Sequence, residues 1–231
     1  MDRAVVLLSG GINSTVAAAI VREQCELALL HVAWGHRTAE RELTAFQDIA
    51  EILKAEQNFV AELSCMAMIG GNARASRRMA IEDANVVGRG IPTTFAFGLL
   101  PTMMSMAVAW AASIRASRIV VGISEDHGTS PTPIGKLYPD RRRDFVQAFN
   151  LMLQYAKPTD RDLIVEAPFI DLTRAEVVKL GQRLKVPFEA TWSCYSSNKT
   201  PCHRCIACTT RQMGFLQAGV PDPLVLEPSR M

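Results

Sequence analysis

The feature that most limits how this chain can fold is a short apolar run that ends in a glycine turn. Ala4-Val5-Val6-Leu7-Leu8 leads into Ser9-Gly10-Gly11 and then into a small-residue stretch, Thr15 to Val21, suited to a helix. The pattern reads as strand, glycine turn, helix. Further apolar runs predict strands over 27–32, 58–63, 118–123 and 163–167, and apolar residues at helical spacing predict helices over 40–53, 101–113 and 144–155. Thr173-Arg174-Ala175-Glu176 matches a capping box, which opens a helix running to Leu184. Such alternation predicts the α/β class: a parallel sheet flanked by helices on both faces, with right-handed crossovers. Ligands of such sheets bind at the carboxyl ends of the strands.

Composition narrows the function classes. The chain has 231 residues, 48% of them hydrophobic and 21% charged, which suits one sizeable domain with a small appendage and excludes a fibre or a disordered chain. A formal charge of +2 gives no overall basic surface for nucleic acid. No apolar run reaches the length of a membrane span, and the N-terminal run is too short for a signal peptide, so the expectation is a cytoplasmic protein with no membrane partner. Residues 67–90, rich in glycine, asparagine and arginine, read as an irregular segment and a candidate lid.

The glycine turn suits an anion. Glycines allow close backbone approach, free amides open the helix that follows, and the hydroxyls of Ser9, Ser14 and Thr15 can donate to phosphate oxygens. It has neither the lysine of a Walker A loop nor the GxGxxG fingerprint, and a turn with two glycines also serves as a mere tight connection.

Four of six cysteines crowd into 15 residues: Cys194, Cys202, Cys205 and Cys208. In a chain without a signal peptide this reads as metal binding rather than disulfides. Four thiolates suit a closed, structural Zn2+ site, and the Cys-x-x-Cys steps also suit an iron-sulfur cluster, the rarer outcome. His203 reads as a bystander, and Lys199, Arg204 and Arg211 as counter-charges to the thiolates. The expected organisation is a nucleotide-binding α/β domain over 1–190 and a loop-rich metal module over 191–231.

Val5 to Ser14 resembles the pyrophosphate loop of the N-type ATP pyrophosphatases, Ser-Gly-Gly-x-Asp-Ser, whose fold is the adenine nucleotide alpha hydrolase-like sheet. Within that superfamily, several stretches resemble the 7-cyano-7-deazaguanine synthase family. They include Thr191-Trp192-Ser193-Cys194-Tyr195, Pro201-Cys202, Cys205, Cys208-Thr209-Thr210-Arg211, Trp34-Gly35-His36-Arg37, Ile91-Pro92-Thr93-Thr94-Phe95, Tyr138-Pro139-Asp140-Arg141 and Ala167-Pro168-Phe169-Ile170-Asp171-Leu172. The resemblance spans residues 4 to about 222 and implies a ligase of queuosine-precursor synthesis. Such an enzyme activates the carboxylate of 7-carboxy-7-deazaguanine with ATP, passes it to ammonia and dehydrates the amide to the nitrile.

By that resemblance Ser9, Gly10, Gly11, Asn13, Ser14 and Thr15 hold ATP with Mg2+ nearby. Asn13, Ser14 and Arg141 take catalytic roles, Tyr138, Asp140 and Phe145 face the deazaguanine, and the four cysteines hold structural Zn2+. A homodimer is also implied.

The chain departs from the family in three places. Asn13 replaces an aspartate and removes a negative charge from the loop. Phe97-Gly98-Leu99-Leu100 replaces Pro-Gly-Arg-Asn, so that part of the pocket wall is expected to be apolar. His127 to Leu137 is longer than expected. Two further readings accompany the ligase: a relative that transfers the activated deazaguanine to an amine on a protein or nucleic acid, as in antiviral defence, and a non-catalytic protein that binds a nucleotide or nucleobase.

Overall fold

The computed structural model describes residues 2–87, 90–125, 134–156 and 162–225. Five strands, β1 (Arg3–Leu7), β2 (Glu26–Ala33), β3 (Gln57–Glu62), β4 (Arg118–Val121) and β5 (Ile164–Glu166), form one sheet in the order β3-β2-β1-β4-β5. All pairings are parallel. Each predicted strand is present to within a few residues.

The helices are α1 (Ile12–Gln24), α2 (Ala39–Leu53), α3 (Cys65–Ile69), α4 (Leu99–Ser113), α5 (Ile134–Leu137), α6 (Arg143–Ala156), α7 (Arg174–Arg183) and α8 (Ile206–Ala218). Strand alternation assigns them to layers. Ala4 and Val6 of β1 join a core with α1, α2, α7 and α8, through Val16, Phe46, Val177 and Phe215. Val5 points the other way, toward Met104 and Ala107 of α4 and Phe149 of α6. The capping box is formed: Glu176 N–H donates to Thr173 Oγ1 at 3.3 Å and Thr173 N–H to Glu176 Oε2 at 2.8 Å.

The chain builds the sheet outward from β1 in one direction, then returns to its other side with β4. Strand order therefore reverses between β1 and β4, which opens a crevice beyond their carboxyl ends. The Ser9–Ser14 turn lies at that crevice.

One expectation needs correction. The module after Trp192 was expected to be loop-rich, yet α8 fills 13 of its residues, starting after Cys205 and ending at Gly219 in the left-handed conformation. Its buried face carries Thr210, Arg211 and Gly214 beside Ile206 and Phe215, so polar residues mask its period. The short α3, α5 and the 3-10 turn Pro139–Arg141 were also not anticipated. The long insertion at His127–Leu137 lies outside the described residues up to position 133. Among the described residues no helix is long and apolar enough to cross a membrane.

Candidate functional site

The glycine turn is shaped by what packs on it. Gly10 has φ +78°, and a Cβ there would stand 2.8 Å from Ala45 Cβ and 3.0 Å from the Glu42 carbonyl oxygen. A glycine is required on both counts, conformational and steric. Ser9 Oγ and Ser14 Oγ lie 3.2 Å apart, and Ser14 Oγ donates to the Gly11 carbonyl at 3.0 Å. Those hydroxyls and the amides that open α1 face a cavity of about 280 Å3, at the small end of the range for ligand clefts.

The predicted residues divide on this cavity. Ser9, Gly11, Asn13 and Ser14 line it, as do Tyr138, Asp140 and Arg141 from the far end. Gly10 supports the turn from behind. Thr15 is fully buried and donates its hydroxyl to the Gly11 carbonyl at 2.8 Å, so it stabilises the first turn of α1 and does not face the cavity. Phe145 also lies elsewhere. It stands one turn before Phe149 on α6, on the stripe turned toward α4, in a shallow groove with Pro101 and Thr102. Phe145 therefore does not line the cavity that holds the other predicted residues.

Leu99 and Leu100 line the cavity, as the substitution of Phe97-Gly98-Leu99-Leu100 led one to expect. Beside them Phe95 meets Tyr138 edge-on at 6.0 Å, and the Arg141 guanidinium sits 4.4 Å above the Tyr138 ring. Tyr138 Oη is 2.7 Å from Thr94 Oγ1. Burial pushes the Tyr138 hydroxyl up from its ordinary pKa, so it stays protonated and polar. Burial also raises the Asp140 carboxyl above its usual range.

Two cavity residues, Glu42 and Arg74, carry no motif that marks them in the sequence. Glu42 of α2 is a hub: its Oε1 lies 2.9 Å from His36 Nε2, 3.1 Å from Thr38 Oγ1 and 3.3 Å from Arg74 Nη2. Burial opposes its ionisation, but the His36 ring and the Arg74 guanidinium outweigh that and hold the carboxyl down, to about 2. Trp34 stacks with the His36 ring at 4.5 Å, and the Arg74 guanidinium lies 4.9 Å from its ring centroid. Burial lowers the pKa of both His36 and His31, which leaves their rings neutral at pH 7. His31 Nδ1 lies 3.0 Å from the Leu8 carbonyl, which makes it the protonated nitrogen.

Arg174, read from sequence only as part of a cap, reaches across from α7 and donates through Nη1 to Asn13 Oδ1. Its stem crosses α8 at Gly214, where a Cβ would come within 2.1 Å of Arg174 Cγ. Any side chain there would displace the arginine.

The irregular segment expected as a lid is tied down at several points. Ala73 N–H donates to the Thr93 carbonyl at 2.7 Å, Arg37 Nη2 to the Met79 carbonyl at 2.8 Å, and Ala84 N–H to the Arg204 carbonyl at 2.8 Å.

The four cysteine sulfurs lie within 4.8 Å of one another, and Cys202 Sγ is 3.9 Å from Cys208 Sγ. Tetrahedral Zn2+–S bonds place sulfurs about 3.8 Å apart, so the cluster fits that ion. Backbone N–H groups of Ser196 and Cys202 each donate to Cys194 Sγ at 3.3 Å, the outer shell such a site needs. His203 Nδ1 instead pairs with Gln212 Nε2 at 2.7 Å. Two of the three expected counter-charges are engaged elsewhere: Arg204 lies 3.4 Å from Asp83, while Arg211 holds Asp222 at 2.9 Å and the Thr191 hydroxyl at 2.8 Å. Backbone N–H groups, not arginines, therefore face the thiolates.

The module also touches the glycine turn, because Trp192 N–H donates to the Gly10 carbonyl at 2.8 Å.

The family model described as queuosine biosynthesis protein QueC matches residues 3–219. A protein named 7-cyano-7-deazaguanine synthase from Chloroherpeton thalassium is 37% identical over 223 residues, 96% of each chain. One of the same name from Chlorobium phaeobacteroides is 36% identical over 226 residues, 97% of each. The solved structure of NMN synthetase from Francisella tularensis aligns at 12% identity and a TM-score of 0.48, over 95% of this chain and 78% of that one.

Proposed function

Because the chain belongs to the queuosine biosynthesis protein QueC family, we propose that it is an ATP-dependent carbon-nitrogen ligase acting on 7-carboxy-7-deazaguanine. The observation that carries this reading is that one cavity joins an anion-binding turn, Ser9 to Ser14, to an aromatic and apolar box formed by Phe95, Leu99, Leu100 and Tyr138. A nucleotide tail suits the first end and a flat heterocycle the second.

In this reading a substrate carboxylate oxygen attacks the α-phosphorus of ATP, and the bond to the bridging oxygen breaks to release pyrophosphate. The amides that open α1, with the Ser9 and Ser14 hydroxyls, bind the departing pyrophosphate. Asn13 holds Arg174 at the turn, which keeps a guanidinium beside the developing charge. Arg141 supplies a second fixed positive charge next to the acyl adenylate. Ammonia then attacks the acyl carbon and AMP leaves with the electron pair. A second ATP activates the resulting amide oxygen, and loss of AMP and a proton yields the nitrile.

The turn's own side-chain donors are hydroxyls and an amide, so Mg2+ enters on the nucleotide rather than on a loop carboxylate. Zn2+ held by Cys194, Cys202, Cys205 and Cys208 is structural, since all four positions are sulfur. A cytoplasmic setting, which keeps those thiols reduced, and a homodimer belong to the same proposal; Leu151, Met152 and Tyr155 on α6 are exposed and apolar enough for a second copy.

Incubation with ATP and 7-carboxy-7-deazaguanine tests the reading. AMP and pyrophosphate formed only in the presence of the deazaguanine and ammonia support it. Turnover that needs an amine on a protein or nucleic acid instead supports the transfer reading, and tight binding of both ligands without AMP supports a non-catalytic binder. Neither binding nor AMP would sink the proposal.

A further inference from the structure

The cavity holds two hydrogen-bond acceptors, from β2 and α2, that the reading above does not use. His31 of β2 is 2% exposed and lines the cavity. Its Nδ1 donates to the Leu8 carbonyl at 3.0 Å, so the lone pair sits on Nε2, which is buried with no partner among the described residues. Glu42 lines the same cavity. Its contacts with His36, Thr38 and Arg74 all fall on Oε1, which leaves Oε2 without a partner among the described residues. Buried acceptors are almost always matched by donors, so an unmatched one on a cavity wall points to a ligand that donates. Charge narrows the class of that ligand. The Glu42 and Glu62 carboxylates act on the His31 ring from α2 and β3, His36 is kept neutral by burial, and the Arg74 guanidinium is engaged by Glu42 Oε1. Among the described residues these charges favour a small cation with several N–H donors.

We infer that His31 Nε2 and Glu42 Oε2 form an ammonium site, from which His31 releases neutral ammonia to the acyl adenylate. This rests on the ligase reading and names where its nucleophile is held. The site adjoins the glycine turn: His31 is tied to Leu8, the residue before Ser9, and the Glu42 carbonyl lies against Gly10. Ammonium is the form that prevails in neutral solution, and it has no lone pair with which to attack. One proton moves from ammonium to His31 Nε2, and the Glu42 carboxylate balances the imidazolium that results. The freed nitrogen lone pair forms the bond to the acyl carbon. The acyl C–O bond then breaks with its electron pair on AMP, the nitrogen loses a second proton to give the amide, and both protons pass to solvent.

The test measures amide and nitrile formed by wild type and His31→Asn against total ammonium, at saturating ATP and 7-carboxy-7-deazaguanine, between about pH 7 and 8.5. Deazaguanine-driven exchange of pyrophosphate into ATP, which needs no ammonia, is followed beside it. Asparagine keeps a donor for the Leu8 carbonyl and removes the base. Burial keeps the free His31 ring neutral over this range, so wild-type kcat/KM for total ammonium is expected to stay level. His31→Asn is expected to lose about 100-fold at pH 7 and to recover about 10-fold per pH unit as solution supplies free ammonia, with exchange within about 2-fold of wild type. Hydroxylamine, already neutral at pH 7, should serve the variant about as well as wild type. Wild-type kcat/KM that climbs about 10-fold per pH unit overturns the inference without any variant, which covers a His31→Asn protein that does not fold. Exchange that falls together with amide formation in His31→Asn gives the residue to the nucleotide and also overturns it. Wild type without deazaguanine-driven exchange overturns the ligase reading, and this inference with it.

Discussion

Glu42→Gln is the substitution whose effect can be worked out most fully. The amide keeps the size of the side chain and an acceptor oxygen, so Thr38 and Arg74 retain a partner and the change isolates the charge. A carboxyl whose pKa falls from 4.5 to about 2 on folding stabilises the fold by at most about 3 kcal/mol, an upper bound because that fall counts charge on the His36 ring as well as on Arg74. At pH 7 burial keeps His36 neutral, so the permanent charge facing Glu42 is that of Arg74. The sign follows from the ionised form being favoured in the folded state. The contribution is fully present above about pH 4.5 and disappears as the pH falls toward about 2. In a domain of this size about 3 kcal/mol lowers the melting temperature by about 6 to 12 °C. Melting followed by circular dichroism at about pH 7, 5 and 3 should show the full gap between variant and wild type at the upper two values and a narrower gap at the lowest. A gap below about 1 kcal/mol at neutral pH, or one that stays constant down to about pH 3, would refute the account of Glu42 as an ionised hub.

Gly10→Ala meets both the left-handed φ and the 2.8 Å contact with Ala45; it should cost about 1–3 kcal/mol and cut ATP affinity at least about 10-fold, checked by melting and by titration with ATP. Asn13→Asp converts the contact with Arg174 into an ion pair that neutralises a guanidinium meant for phosphate. ATP affinity at low Mg2+ should fall by about 10-fold, and a rise in that titration would show that the loop lacks a metal ligand rather than a positive charge. Cys208→Ser should lose the metal, read as zinc per chain by mass spectrometry, with a loss of stability on the order of several kcal/mol; full zinc content in that variant would sink the four-thiolate site.

The parts of this protein that were legible in the sequence are those written in local pattern. The apolar runs gave the central strands because β1 and β2 are buried on both faces, and the Thr173–Glu176 spacing gave a cap because its two hydrogen bonds are local. The Cys-x-x-Cys steps gave the four-sulfur cluster for the same reason. Glu42 left a weaker signal: it stands in register with Ala45, Phe46, Ile49 and Leu53 on the buried face of α2, so a charged residue on that stripe needed a partner. Its partners His36 and Thr38 are near in sequence, but Arg74, 32 residues on, is local only in space. Arg174 and Asn13 are 161 residues apart, and nothing in either neighbourhood announces the contact. Phe145, grouped by motif resemblance with Tyr138 and Asp140, lies apart from them because the helical period of α6 turns it toward α4.

The contacts between α7, α8 and the glycine turn explain why a metal module belongs at this site. A turn that leaves its amides free for a ligand has few hydrogen bonds of its own to define it. This one is held from outside, by Ala45 and Glu42 of α2 against Gly10, by Trp192 N–H on the Gly10 carbonyl and by Arg174 on Asn13. The last two depend on the C-terminal module: Trp192 leads into Cys194, and the Arg174 stem needs the groove at Gly214 of α8, the helix that begins after Cys205. Four thiolates on one ion fix Cys194 relative to Cys205 and Cys208, and therefore fix the start of α8 relative to Trp192. A metal held there would act on the glycine-turn end of the cavity through geometry alone. Removing it should loosen the turn before it unfolds the sheet, whose strands are paired independently of the module.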